Sequence, residues 1–312
     1  MIRLEIKLSK INQQICLTPE DFVSTSEEHY YKQVGRVADY IRAHSKERPI
    51  VLLSGPSGSG KTTTAHLLEQ LLDQNGHETH TLSMDNYFNP MNEQQRLLAA
   101  EKKLDLESPE RVDHTLLQEH LHKIIKGETI ELPTYNFVTS EREYTGETLT
   151  RKLGEIVILE GIHALNPAVV GLPEEKTVRL YVSVRTRVVS DSGERLHPSL
   201  IRLMRRMLRD RVGRGRRIEE TLGMFDSVER GEQLYIMPYK PHSQFDIDTL
   251  IPYELGIYQK ELLSEIQILQ TNPHLTPSQQ QLLKTMLSFL EQSTPLEPTI
   301  VPQNSLLQEF IC

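Results

Sequence analysis

The stretch Gly-Pro-Ser-Gly-Ser-Gly-Lys-Thr at residues 55–62 constrains this chain more than any other feature. It fits the pattern G-x-x-x-x-G-K-[S/T], and it stands between a short apolar run at 50–53 and a stretch of helical spacing at 65–72. In that strand–loop–helix setting the glycines let several backbone N–H groups turn toward one anion, and the helix N-terminus adds the positive end of its dipole. An incidental glycine- and serine-rich turn is the alternative, but such a turn would not require both flanking elements. The motif therefore predicts a binding site for a nucleoside triphosphate.

Residue types in this loop have defined tasks at such a site. We expect the Lys61 side chain to reach the β- and γ-phosphates and the Thr62 hydroxyl to ligate Mg²⁺. ATP and Mg²⁺ are thus the expected cofactors. The loop residues expected to contact ATP are Gly55, Ser57, Gly58, Ser59, Gly60, Lys61, Thr62 and Thr63.

Apolar runs and helical stretches alternate along most of the chain. Strands are predicted at 49–53, 79–85, 155–161, 178–184 and 245–252, and helices at 27–44, 115–126, 197–212, 254–270 and 277–291. Strands that alternate with helices form a parallel sheet covered on both faces. We therefore predict an α/β fold, a doubly wound parallel sheet of the P-loop NTPase type.

Three regions are predicted along the chain. Residues 1–47 form an N-terminal appendage, 48–253 the core that carries the phosphate site, and 254–312 a C-terminal helical extension. Within the core, alternating polarity and Gly146 predict a β-hairpin insertion at about 128–153.

The two terminal regions carry their own patterns. Ile2, Leu4, Ile6 and Leu8 alternate with polar residues, which predicts an amphipathic strand. Thr276 is expected to cap the last helix, and the apolar residues of the tail after 293 are expected to pack on the body.

The composition limits the partners and the compartment. Asp and Glu outnumber Lys and Arg by 43 to 35, and the resulting net charge of −8 disfavours general attraction to nucleic acid or anionic membranes. No apolar run approaches the roughly 18 residues of a transmembrane helix. The only cysteines are Cys16 and Cys312, which fits a reducing compartment better than a disulfide framework. We expect a cytoplasmic protein that binds neither nucleic acid nor a membrane.

Two acidic residues stand where predicted strands end. Asp85 closes the strand at 79–85, and Glu160 lies at the end of the strand at 155–161. Ligands of doubly wound sheets lie outside the carboxyl ends of the strands, so both are candidates for the Mg²⁺ site. A carboxylate at position 85 can also accept a proton from an attacking hydroxyl. Ordinary strand-end and turn acids are the alternatives.

Arginines are concentrated in one segment. The eight are Arg202, Arg205, Arg206, Arg209, Arg211, Arg214, Arg216 and Arg217. Apolar residues at helical spacing occupy one side of the segment, and the arginines at 202, 205, 206 and 209 are predicted on the other. Gly213 and Gly215 predict a break into a mobile segment that supplies cations for phosphoryl transfer. A solvated helix face and contact with RNA are the two alternatives.

Several aromatic and histidine residues admit two interpretations. Tyr87 and Phe88 fit either the core or the wall of a pocket, and His163 fits either the site or structural packing. His120 and His122 point to different faces of a predicted helix, so both are predicted to lie on the surface. No histidine spacing indicates a zinc site.

Five spaced motifs together resemble the uridine kinase/phosphoribulokinase family. They are the loop at 55–62, Ser-Met-Asp-Asn-Tyr-Phe at 83–88, Pro-Thr-Tyr-Asn-Phe at 133–137, Glu-Gly-Ile-His at 160–163, and Arg-Arg-Met-Leu-Arg-Asp at 205–210 with Arg-Gly-Arg at 214–216. The resemblance covers about 48–253. The tail at 301–311 is similar to the ending of the longer bacterial uridine kinase-like proteins.

The resemblance implies roles for individual residues. Asp85 is the base that deprotonates a ribose 5′-hydroxyl, and it helps Thr62 and Glu160 to hold Mg²⁺. The lid at about 209–217 brings Arg209, Arg214 and Arg216 over the triphosphate, with Lys61 and Arg209 acting on the transferring phosphoryl group. Residues implied on the acceptor side are Asp85, Tyr87, Glu107, Tyr135 and Arg206.

The departures from the family pattern fall in the acceptor pocket. Glu107 stands where uridine kinases have an aspartate that grips the ribose hydroxyls, and Asn136 replaces the aspartate after the pocket tyrosine. Ser140 and Met224 align with a histidine and a glutamine of the family. Discrimination rests on buried polar groups that match the substrate, so these changes leave the pyrimidine open.

The function that these observations predict is transfer of a phosphoryl group from ATP to a small hydroxyl acceptor, first of all the 5′-hydroxyl of a nucleoside. A sugar, a sugar phosphate or another polyol is the alternative acceptor. A nucleotide-binding regulatory protein without turnover is the alternative class. Assembly into a homo-oligomer is a further alternative that the sequence does not decide.

Overall fold

The computed structural model describes residues 4–101 and 103–311, so Ile2 and Cys312 lie outside the described part. The strands are β1 (Glu5–Lys7), β2 (Ile50–Ser54), β3 (Thr79–Ser83), β4 (Ile130–Asn136), β5 (Glu141–Leu149), β6 (Ile156–Glu160), β7 (Thr177–Ser183), β8 (Arg187–Val189), β9 (Arg195–Leu196) and β10 (Phe245–Asp248). The α-helices are α1 (Leu8–Leu17), α2 (Pro19–His44), α3 (Lys61–Asp73), α4 (Glu93–Ala100), α5 (His114–Lys126), α6 (Pro167–Val170), α7 (Pro198–Arg214), α8 (Ile218–Leu222), α9 (Phe225–Gly231), α10 (Glu254–Gln270), α11 (Pro277–Gln292) and α12 (Gln308–Ile311).

The central sheet has five parallel strands in the order β10–β7–β2–β6–β3. β2 and β6 are continuous apolar runs until their last residue and are buried throughout, as expected for strands covered on both faces. Val51 and Leu53 belong to one apolar cluster, whereas Ile50 and Leu52 belong to the other. The predicted parallel sheet with helices on both faces is confirmed.

The last strand is shorter than predicted, because β10 ends at Asp248 rather than at 252. The Asp248 carboxylate accepts hydrogen bonds from the backbone N–H groups of Arg185, Thr186 and Leu250. These hydrogen bonds turn the chain out of the sheet directly after β10.

A hairpin projects from the region where alternation and Gly146 predicted one. β4 and β5 pair in antiparallel fashion, with a register shift between Glu131 and Pro133. Most of β5 is exposed, so this two-stranded sheet stands apart from the central sheet.

The N-terminal region differs from its predicted strand. β1 covers only Glu5–Lys7 and pairs parallel with β8, while Leu8 already begins α1. Leu8, Ile11 and Ile15 are buried at helical spacing, which outweighs the short alternation before them. The helix predicted at 27–44 is present but begins earlier, at Pro19, because proline suits a first helical turn.

The C-terminal extension covers one face of the sheet together with the N-terminal helices. Thr276 and Gln279 form the expected capping box at the start of α11. Asn12 of α1 donates to the carbonyl of Gln292 at 2.7 Å and accepts from the backbone of Thr294 at 2.9 Å. The tail packs on the body as predicted, with the side chains of Leu306, Leu307 and Phe310 buried.

Two further observations complete the fold. α4 lies in a polar segment for which the sequence pattern predicted no helix, and an Asn92–Gln95 capping box begins it. Across the described ranges, no helix combines the length and the apolar character that spanning a membrane requires.

Candidate active site

The loop between β2 and α3 is shaped by glycines that other residues could not replace. Gly58 and Gly60 have φ angles of 74° and 84°, in the left-handed region. A Cβ added at Gly55 would lie 2.0 Å from the carbonyl oxygen of Val182, and one at Gly58 would lie 2.9 Å from that of Arg202. The loop therefore threads closely between the end of β7 and the side of α7.

The loop presents polar groups without internal partners. Ser59 is fully buried, and among the described residues its hydroxyl has no hydrogen-bond partner. The first N–H groups of α3 lack intrahelical acceptors, since the first helical bond runs from Thr64 to Gly60. Lys61 Nζ curls over the loop to within 3.4 Å of the Pro56 carbonyl oxygen. Such a cradle fits a polyphosphate.

Two carboxylates meet beside this cradle at the carboxyl edge of the sheet. Glu160 at the end of β6 pairs in register with Leu53 of β2 and with Ser83 of β3. The Ser83 hydroxyl donates to Glu160 Oε1 at 2.9 Å and accepts from the backbone of Asp85 at 3.4 Å. Asp85 follows in a 3₁₀ turn, Met84–Tyr87.

Charge couples these groups to one another. Burial raises the pKa of Asp85, and the nearby cations Lys61, Arg214 and Arg209 oppose that rise. Burial likewise raises the pKa of Glu160, Lys61 opposes the rise, and the charge of Asp85 adds to it. In both carboxyl groups, burial raises the pKa more than the neighbouring cations lower it, so burial disfavours the ionised forms.

The donors available here fit a magnesium ion. Thr62 offers an exposed hydroxyl in the first turn of α3, and Asp85 and Glu160 offer carboxylate oxygens. Oxygen ligands of this kind suit Mg²⁺, and a bound cation would favour the ionised carboxylates that burial disfavours. These are the three residues that the sequence proposed for the metal.

Three arginines of the predicted lid converge on a single buried carboxylate. Asp210 is fully buried and lies 3.1, 3.2 and 3.8 Å from the side chains of Arg209, Arg214 and Arg216. The helix breaks within 213–216 as predicted, because α7 runs to Arg214 and ends at Gly215, which has a φ of 60°. Asp210 thus holds these three cations together, and the mobility of the segment stays a prediction.

Arg202, Arg205 and Arg206 of α7 are buried, so the interpretation as a solvated helix face is wrong for these three. Arg205 is fully buried, donates to both carboxylate oxygens of Glu254 at 2.8 and 3.0 Å, and reaches the Gly58 carbonyl at 3.3 Å. Arg202 is buried against Glu232. Because these acids lie far along the chain, no local pattern indicated that the arginines are paired.

The proposed acceptor side contains a further acid, the half-buried Glu107. Burial raises the pKa of Glu107, opposed first by Arg206 and then by Lys61. Burial lowers the pKa of Arg206 to about 10, opposed by Asp210 and Glu107. Glu107 therefore interacts electrostatically with Arg206, Lys61 and Asp85, although Asp85 and Glu107 lie in separate turns of the chain.

A residue that the sequence left undecided lies next to Glu107. The side chain of His163 is almost completely buried, and it interacts with the backbone of Tyr235 and of Glu107. Burial lowers its pKa to about 4, so the imidazole is neutral near pH 7. His163 thus connects the backbone at Glu107 to the backbone at Tyr235.

The two predicted pocket tyrosines have different surroundings. Tyr87 is buried in an apolar cluster, and its hydroxyl lies 3.2 Å from Nδ1 of His120. His120 is therefore buried rather than on the surface as predicted, because it satisfies that hydroxyl. Tyr135 accepts from Arg111 at 3.3 Å and packs edge-on against Phe137. Contact of either tyrosine with an acceptor stays a prediction.

Comparisons with known proteins agree with this geometry. Residues 50–251 match the Phosphoribulokinase / Uridine kinase family. The chain is 30% identical over 208 residues to a uridine kinase of Lactobacillus johnsonii, covering 66% of this chain and 87% of that protein. It is 27% identical over 216 residues to uridine-cytidine kinase 2-B of Danio rerio, covering 67% and 75%.

Solved structures also align with this chain. A possible uridine kinase from Bacillus stearothermophilus covers 70% of this chain and 98% of its own, with a TM-score of 0.42 at 16% identity. The family match alone spans most of the sequence and includes the loop, both strand-end acids and the arginine helix. The resemblance seen in the motifs is therefore confirmed: the chain belongs to the phosphoribulokinase/uridine kinase family of P-loop kinases.

Proposed function

We propose that this chain transfers the γ-phosphoryl group of ATP to the 5′-hydroxyl of a nucleoside. The observation that carries the proposal is the position of Asp85. Its carboxylate lies beside the phosphate cradle and within the field of Lys61, Arg209 and Arg214. The relatives named uridine kinase support the nucleoside as acceptor.

The residues divide the chemistry as follows. Backbone N–H groups of the loop and Lys61 hold the phosphates, and Thr62, Asp85 and Glu160 would hold Mg²⁺, which neutralises phosphate charge when bound. Asp85 accepts the proton of the acceptor hydroxyl, a task that its raised pKa favours. Arg209, Arg214 and Arg216, gathered by Asp210, stabilise charge on the transferring group.

The acceptor is oriented by a separate set of side chains. Glu107 offers a half-buried carboxylate that can accept hydrogen bonds from ribose hydroxyls, and Arg206 lies close enough to lower its pKa. Tyr87 and Tyr135 belong to this set in our proposal, because the resemblance to the family implies both on the acceptor side. Orientation of both reactants accounts for much of the rate in such transfers.

One observation favours a second acceptor class, a sugar phosphate. Arg206 is buried, and its Nε has no hydrogen-bond partner among the described residues. A small cavity lies between Arg206, Ser57 and Glu229. An anionic group on the acceptor would satisfy this donor better than a neutral nucleoside would.

The test is a panel of acceptors in an assay of ADP release. Nucleosides should stimulate release from MgATP, sugar phosphates should not, and Asp85→Asn should lower the stimulated rate about 10³-fold while MgADP still binds. Asp73→Asn, at the exposed end of α3, is the matched control and should leave the rate unchanged.

Three outcomes would contradict the proposal. Stimulation by sugar phosphates and not by nucleosides would show that the acceptor is a sugar phosphate. MgATP binding without stimulation by any acceptor would indicate a regulatory protein. A normal rate for Asp85→Asn would exclude Asp85 as the base.

A further inference from the structure

The last described residues of the chain lie directly on the phosphate-binding loop, although the family match ends at residue 251. We call residues 302–311 the C-terminal strap. Leu306 is fully buried, and a Cβ added at Gly60 would lie 2.6 Å from Leu306 Cδ1. The leucine side chain therefore rests on Gly60, where the loop turns into α3.

A second contact reaches the first turn of α3. The Thr63 hydroxyl donates to Glu309 Oε2 at 2.5 Å. Thr63 is one of the residues predicted to contact ATP. The carboxylate lies at a helix N-terminus, where negative charge is favourable.

A third contact acts through the buried arginine of α7. The Phe310 ring centroid lies 5.2 Å from the guanidinium carbon of Arg205. Arg205 in turn donates to the carbonyl of Gly58. Leu306, Glu309 and Phe310 thus restrain three successive parts of the loop and its helix.

The strap is itself anchored to the N-terminal region. The Ser305 hydroxyl donates to Glu27 Oε1 of α2 at 2.6 Å, and Tyr253 donates to the same oxygen. α2 makes its own contact with α3, since the hydroxyls of Tyr30 and Thr64 lie 2.8 Å apart. The loop is therefore supported by both regions that flank the family match.

We propose that Leu306 and Phe310 are positioning residues, and that a magnesium nucleotide binds tightly only while the C-terminal strap is docked on the loop. Gly58 and Gly60 lose much conformational freedom when the loop is fixed. Docking of the strap restricts that freedom at folding, so the ligand does not have to do so. The proposal rests on the nucleotide site proposed above and adds residues that lie outside the family match.

Reciprocity gives the proposal a second consequence. If the docked strap favours the nucleotide, the nucleotide must favour the docked strap by the same factor. Amide hydrogen exchange in residues 302–311 should therefore slow when MgADP is bound.

The experiment measures the MgADP dissociation constant of the full chain by titration calorimetry. Leu306→Ala and Phe310→Leu should each weaken binding about tenfold, in the usual range of coupling between sites. Leu290→Ala removes an equally buried leucine from α11 and should lower stability without changing affinity. Glu297→Gln, in an exposed ion pair of the same extension, should change neither.

The outcomes separate this inference from the proposed function. MgADP binding by the wild-type chain with equal affinity in both strap variants, and no slowing of exchange in the strap, would overturn the inference alone. No binding of MgADP by the wild-type chain would overturn the nucleotide site and the inference together. If a strap variant does not fold, exchange in the wild-type chain still decides the matter.

Discussion

Replacing Arg205 by methionine should destabilise the protein far more than a typical surface change. Its guanidinium makes five hydrogen bonds, to Glu254, to the hydroxyl and carbonyl of Thr249, and to the Gly58 carbonyl. Among the described residues, Arg205→Met leaves the fully buried Glu254 with the hydroxyl of Tyr258 and the backbone N–H of Ile251 as its hydrogen-bond donors. An unpaired buried charge of this kind costs about 3–5 kcal/mol.

The assay is urea unfolding of Arg205→Met, Glu254→Gln and the double variant. We expect the double variant to recover about 2 kcal/mol of the summed losses, because neither charge is then left alone. Arg211→Met is the matched control on the same helix, since Arg211 forms half-exposed ion pairs with Glu261 and Glu265 and should cost less than about 1 kcal/mol. If Arg205→Met lowers the free energy of unfolding by less than about 1 kcal/mol, the buried Arg205–Glu254 pair does not stabilise the fold as argued.

Three further predictions concern the loop, a helix and the response to acid. Gly55→Ala should abolish MgADP binding in titration calorimetry, because its Cβ would lie 2.0 Å from a backbone oxygen; retained affinity would show that the loop can shift. Gly35→Ala, in α2, meets nothing within 4 Å and should raise the free energy of unfolding by about 0.5–1 kcal/mol, while a loss would indicate a hidden contact. His163 should make the fold acid-sensitive: its pKa falls from 6.5 to about 4 on folding, so stability is complete above about pH 6.5 and declines toward pH 4, by up to about 3 kcal/mol. Urea unfolding of His163→Gln should show a flatter decline over that range, and an equal decline would assign the effect to other groups.

The sequence predicted the parts of the fold that depend on neighbouring residues. The loop at 55–62, the apolar strands and the Thr276 cap each carry their cause within a few positions, and all are present. The strand-end acids Asp85 and Glu160 could be grouped because parallel strands end at one edge.

The parts that could not be predicted depend on partners far along the chain. Arg205 is buried because Glu254 meets it, and His120 is buried because it bonds to Tyr87. The charge and periodicity of α5 and α7 can be read from the sequence. The residues that pack against these helices cannot. Leu8 was misassigned because a short alternation and a helical stripe share that residue.

The pairing of the two flanking regions has a consequence for biosynthesis. Asn12 forms hydrogen bonds with Gln292 and Thr294, and Glu27 with Ser305, so these early residues meet their partners only after 278 to 282 more residues have been made. Domains form as units while the chain emerges, and contacts between distant residues form slowly. The parts of α1 and α2 that pack against the C-terminal region therefore stay uncovered during most of translation, which makes them surfaces where a chaperone would be required.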